Sequence, residues 1–139
     1  MGLMKESGAV AFSDDGLPIQ NSLVMRKALE YSKMFNVPII NHAEDDCLRA
    51  NGLMNEGIVS TKLGLSGNPN IAESLMVFRD LKLAELTGAQ LHVPHVSTSE
   101  SVQYISDMKN QYSKITAEVT PHHLFYTDEA LYDMTLILR

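Results

Sequence analysis

Short apolar runs alternate with amphipathic helical stretches along the chain, and this alternation narrows the open folds more than any other feature. Gly8 to Ser13 is an apolar run that ends in Ser13-Asp14-Asp15-Gly16, which reads as a buried strand entering a turn. From Asn21 to Asn36, Val24, Ala28, Tyr31 and Phe35 recur at helical spacing, with Asn21 as the N-cap. Val37 to His42 reads as the second strand, and Pro38 is tolerated near its start. Ala43 to Asn68 is rich in Gly, Asn and Asp and holds one short helix near Asp46 to Asn51; a connection this long is functional or packs as a lid. Asn70 and Glu73 form a capping-box pattern. The helix they open runs to about Thr87 and stops at Gly88, with Ile71, Leu75, Phe78 and Leu86 on its buried face. Ala89 to Val96 is the third strand. Ser97 and Glu100 suggest a second capping box, before a helix whose stripe is Val102, Ile105 and Tyr112. Lys114 to Val119 is the fourth strand, and the tail from Thr127 to Arg139 begins as a helix.

This order predicts an α/β fold with a parallel sheet and right-handed crossovers. A length of 139 residues suggests one domain. With 45% apolar residues it can bury a core without disulfides. Seventeen acidic against eleven basic side chains leave a net charge of -6, which argues against a nucleic-acid partner held by phosphate contacts. No polybasic run suits a membrane surface. The longest apolar stretches, Gly8 to Phe12 and Val37 to Ile40, are too short to span a bilayer. The N-terminus shows neither a secretory nor a myristoylation pattern. The lone Cys47 forbids an internal disulfide and fits a reducing, cytoplasmic setting; it reads as a small packing residue.

In parallel α/β folds ligands bind at the carboxyl ends of the strands. Here those ends carry Asp14 and Asp15, then His42 with Glu44, Asp45 and Asp46, then His92 and His95, then His122 and His123. All five histidines lie within or at the ends of three strands, none on a predicted helix. Imidazole and carboxylate together suit Zn, Fe, Ni or Mn. There is no Gly-x-Gly-x-x-Gly, Walker loop, Gly-x-Ser-x-Gly or Cys-x-x-Cys. On the residues alone, Asp14 and Asp15 suit a turn as well as a metal, and His42 suits a satisfied core position as well as a ligand. His92 and His95 differ in strand parity, which predicts that one of them is structural. Glu30 and Glu85 read as solvated helix carboxylates.

Several blocks taken together carry a resemblance. They are Gly8-Ala-Val-Ala-Phe-Ser-Asp-Asp-Gly16, His42-Ala-Glu-Asp45, Ala72-Glu73 to Arg79-Asp80-Leu81, Leu91-His-Val-Pro-His-Val-Ser-Thr98 and Thr116-Ala-Glu-Val-Thr-Pro-His-His-Leu124. Their order and spacing resemble the central part of class I, bacterial-type dihydroorotases of the metal-dependent amidohydrolase superfamily, up to about Asp133. The resemblance implies a (β/α)8 barrel with two zinc ions at the strand ends. It implies reversible cyclisation of N-carbamoyl-L-aspartate to L-dihydroorotate in pyrimidine synthesis. Asp15 resembles the carboxylate that bridges the metals, and His42 and His95 resemble ligands of one metal. His92, His122 and His123 match positions that bind none. Dihydropyrimidinases and allantoinases usually place a carbamylated Lys where Asp15 stands, so Asp15 favours dihydroorotase.

The family's opening His-x-His motif and its closing catalytic Asp have no counterpart in the sequence. A full barrel takes about 250 residues. The expectation is therefore a partial (β/α)8 barrel of about four β/α units. Residues 1–139 would be the central part of a barrel domain, with no catalytic residue of its own, a partial zinc site and poor activity alone. Exposed sheet edges would favour self-association. The expected partner is a small molecule, with no nucleic acid and no membrane. Two alternatives remain: another cyclic amidohydrolase (allantoinase- or dihydropyrimidinase-like) and a non-catalytic, dihydroorotase-like structural subunit.

Overall fold

Four parallel strands lie side by side in chain order in the computed structural model, which describes residues 1–14 and 16–132. The elements run α1 (Gly2–Glu6), β1 (Phe12–Ser13), α2 (Ser22–Met34), β2 (Ile39–Ile40), α3 (Asp46–Arg49), β3 (Met54–Asn55) and α4 (Ile58–Leu63). They continue with β4 (Gly67–Asn68), α5 (Ile71–Thr87), β5 (Leu91–Val93), α6 (Ser99–Gln111), β6 (Ile115–Ala117), α7 (Pro121–Phe125) and a 3-10 turn over Asp128–Tyr132. The main sheet has the order β1-β2-β5-β6.

Its register aligns two rows across the strands. One is Phe12, Ile39, Leu91 and Ile115; the other is Ser13, Ile40, His92 and Thr116. Ile39, Leu91 and Ile115 are buried against Met25 and Leu29 of α2, Met76, Val77 and Leu81 of α5, and Ile105 and Met108 of α6. Core residues in the strands share one parity, so all three long helices cover the same face. A doubly wound sheet would carry helices on both faces. One helical layer outside a sequentially ordered parallel sheet is the arrangement of consecutive barrel units. The second row, polar except for Ile40, faces the side that a barrel encloses.

The predicted strand order and the three long helices are present. Asn21 caps α2, its side chain accepting from Leu23 N and Val24 N, and Gly88 ends α5 in the left-handed conformation at φ 71. The predicted faces of the helices need correction. Val24 and Tyr31 are exposed, and Met25, Leu29 and Ser32 are buried instead. On α5, Ile71, Leu75, Phe78 and Leu86 are exposed, and Ala72, Ser74, Met76, Val77, Asp80, Leu81 and Ala84 are buried. These helices carry two apolar stripes, and the larger side chains lie on the one away from the sheet. There Tyr31 packs edge-on against Phe35, and Phe78 against Tyr104 of α6. Val102 of α6 is likewise exposed, with Ser101, Ile105 and Met108 buried.

The segment read as irregular contains a second, two-stranded parallel sheet. β3 and β4 pair Met54 with Gly67 and Asn55 with Asn68. The close approach explains its glycines: a Cβ on Gly67 would lie 2.7 Å from Glu56 Cα, and one on Gly52 would lie 2.8 Å from Asn68 Cα. Cys47 sits exposed on the four-residue α3, so it is not the packing residue the sequence suggests. Glu30 pairs with Arg26 and Lys27, and Glu85 with Lys82, all at the surface. No helix among the described residues is long and apolar enough to cross a membrane.

Candidate metal centre

β2 ends at Ile40 and delivers Asn41 and His42 to the rim of the sheet. Both are pinned from neighbouring elements. The Asp14 carboxylate accepts from His42 N at 3.0 Å and from Ile19 N at 2.8 Å, tying the exit of β1 to that of β2. The Asn41 amide donates to Asp80 of α5. Arg79 Nε donates to the same carboxylate at 2.7 Å, and Arg79 also reaches the carbonyl of Gln20 at 2.9 Å. Burial pushes Asp80 up from 3.8 to about 6, even though Arg79 and Asn41 favour its charged form.

The His42 ring lies between two partners. Its Nδ1 is 3.2 Å from His95 Nε2, and its Nε2 is 3.4 Å from Glu44 Oε2. Glu44 is itself tethered by Asn68 Nδ2 at 2.8 Å and Arg49 Nε at 3.1 Å. A carboxylate facing Nε2 favours the tautomer protonated there, which leaves Nδ1 as the lone-pair nitrogen.

His95 arrives by a break in the ladder. β5 ends at Val93; Glu118 N donates to Val93 O at 3.0 Å, and Val96 N donates to Glu118 O at 2.9 Å. Pro94 and His95 bulge out between those bonds, with His95 in the left-handed region at φ 39. Strand parity therefore stops at Val93, and the expected contrast between His92 and His95 does not follow from alternation. His92 stays within the sheet, with Nδ1 2.8 Å from Thr116 Oγ1 and Nε2 3.5 Å from Glu118.

His42 and His95 open onto a cleft lined also by Glu44, Asn55, Asn68, Asn70, Glu73, Ser97, Thr98 and His123. The sequence reading missed Asn55 and Asn68, because their place at the site depends on the β3–β4 pairing. His122 and His123 lie on α7, a helix the reading did not anticipate; His122 stacks on Tyr126. Asp15 lies outside the described residues. Among the described residues, no three His, Cys, Asp or Glu side chains converge as a metal-holding group. The two imidazoles nevertheless suit one metal. Two nitrogens on a tetrahedral zinc, each at 2.0–2.1 Å, stand roughly 3.3 Å apart, against 3.2 Å here.

Known proteins share the sequence and the fold of this chain. The chain is 55% identical over 130 residues to the dihydroorotase of Syntrophobacter fumaroxidans, covering 94% of this chain and 30% of that protein. The dihydroorotase of Syntrophus aciditrophicus gives the same identity and coverage. The chain thus spans about three-tenths of the length of the curated relatives it matches. Among solved structures, a D-hydantoinase superposes with a TM-score of 0.72 at 24% identity, over 95% of this chain and 30% of that one. The dihydropyrimidinase of Brevibacillus agri NCHU1002 gives 0.73 at 22% identity, over 94% and 30%. These likenesses establish the fold, a partial (β/α)8 barrel. A family model described as dihydro-orotase-like matches residues 1–101, most of the described sheet and the loop carrying His95 included, and the chain belongs to that dihydro-orotase-like family.

Proposed function

We propose that this chain supplies part of the zinc site of a dihydroorotase, in which L-dihydroorotate and N-carbamoyl-L-aspartate interconvert during cytoplasmic pyrimidine synthesis. The observation that carries the reading is the 3.2 Å approach of His42 Nδ1 to His95 Nε2 in a chain of this family. In this reading His42 and His95 would hold one zinc ion, and Asp15, which lies outside the described residues, would supply a carboxylate to the same centre. Bound zinc would polarise the ring carbonyl and bring the ionisation of water toward neutral pH.

The residues of this chain prepare the site. Glu44 holds His42 in the tautomer that offers Nδ1, while Asn68 and Arg49 hold Glu44. The cleft, about 250 Å³, suits a small ring compound and not a polymer. The general acid–base Asp belongs to a part of the barrel without a counterpart here, so the isolated chain is a poor catalyst. Among the described residues β1 and β6 each have one neighbour in the sheet, and edges left open in this way favour self-association.

The test is the response of the His42 and His95 ring signals of the zinc-loaded chain to L-dihydroorotate, hydantoin and allantoin. Zinc-dependent shifts with dihydroorotate and little hydrolysis are expected. A preference for allantoin or hydantoin would overturn the substrate assignment, and rapid metal-dependent hydrolysis would overturn the partial-site reading.

A further inference from the structure

Glu73 stands in the first turn of α5, where a carboxylate ordinarily serves its own helix. It does not do so here. Asn70 has helical backbone angles, φ -50 and ψ -33, and makes no side-chain cap. The Glu73 carboxylate instead crosses to the segment that follows His95. Oε1 accepts from Thr98 N at 3.0 Å and Thr98 Oγ1 at 2.9 Å, and Oε2 accepts from Ser97 N at 3.0 Å and from Ser97 Oγ. Thr98, not Ser97, then caps α6, its Oγ1 accepting from Ser101 N.

His95 is therefore anchored on both sides. On one side stand the main-chain bonds of Val93 and Val96 to Glu118, and on the other stands the Glu73 clamp on Ser97 and Thr98. Between them His95 holds φ 39, a conformation that a side chain with a Cβ adopts only where its surroundings over-determine it. The bonds to Glu118 survive any side-chain replacement. The Glu73 clamp does not.

We propose that Glu73 is a positioning residue for His95: its carboxylate keeps the bulge in the left-handed turn that brings His95 Nε2 to His42 Nδ1. The consequence for metal binding rests on the reading of these two histidines as ligands.

The experiment uses the full 139-residue chain and its Glu73→Gln, Glu73→Ala and Leu81→Ala variants. Glutamine keeps the size but turns an NH2 toward donors. Leu81 is buried in the core away from the cleft and controls for loss of stability alone. In the metal-free chain, an NOE between the ring protons of His42 and His95 reads their approach. Competition with a chelator reads zinc affinity, and circular dichroism reads the fold. The expected result is loss of the NOE and a 10–100-fold weaker zinc affinity in both Glu73 variants, with helical content retained and with NOE and affinity unchanged in Leu81→Ala. An intact NOE and unchanged affinity in the Glu73 variants would overturn the proposal. So would an equal loss of affinity in Leu81→Ala, or unfolding of Glu73→Gln, either of which assigns Glu73 to stability alone. If the parent binds no zinc but the NOE still depends on Glu73, the positioning role stands and the zinc reading fails.

Discussion

The side-chain amide of Asn41 donates to the Asp80 carboxylate where β2 meets α5, and both residues are only 1% exposed. The contact fixes the residue next to His42, but it keeps a carboxylate out of water. Desolvation raises Asp80 from 3.8 to about 6; Arg79 and Asn41 oppose the rise, and Asp14 adds to it. Between those two values the folded chain holds a proton that the unfolded chain has lost, so stability falls as pH rises through the window. Asp80→Asn cannot titrate there. The parent's stability relative to Asp80→Asn, from urea unfolding, should therefore drop between about pH 4 and pH 6, by on the order of 1–3 kcal/mol. A flat difference would show that Asp80 titrates normally, and one that grows with pH would show its carboxyl held below the ordinary range; either contradicts the effect of burial.

The two stripes of α5 separate by stability. Leu81→Ala removes a side chain buried at 1% exposure and should cost roughly 2–5 kcal/mol. Phe78 is 45% exposed and touches Tyr104 edge-on, so Phe78→Ala should cost less than about 1.5 kcal/mol. Equal losses in denaturant melts would mean that the sheet-facing stripe has been assigned to the wrong side chains.

Gly67→Ala forces a methyl group against the Glu56 backbone and should cost roughly 1–3 kcal/mol. It also disturbs Asn68, which tethers Glu44. At Gly57 an added Cβ meets nothing within 4 Å, and its φ of 171 is ordinary extended backbone. Gly57→Ala should therefore cost under about 1 kcal/mol. Thermal melts of the two variants check the contrast; a larger loss at Gly57 would contradict the β3–β4 packing.

The alternation of strands and helices was legible because period and turn residues report it directly. His42 just beyond β2 was legible for the same reason, whereas His122 and His123 lie on α7, which no strand pattern announced. Which stripe of α2 or α5 faces the sheet was not, because both stripes recur at helical spacing and the bulkier one lies on the outside. Periodicity locates a face without saying what covers it. Glu73 carries a capping-box spacing whose local meaning gave way to a better set of donors across the cleft. The bulge at His95 has no local signature either, since a left-handed histidine is imposed by the bonds to Glu118 and Glu73.

The most direct test of the metal reading is the zinc stoichiometry and affinity of the purified chain by equilibrium dialysis, beside Asp15→Ala, His42→Ala and His95→Ala. The expected result is bound zinc in the parent and a loss of affinity of at least about tenfold in each variant. Equal zinc binding by the parent and by His42→Ala and His95→Ala, or no binding by a folded parent, would contradict the claim that these two histidines hold a metal in this chain.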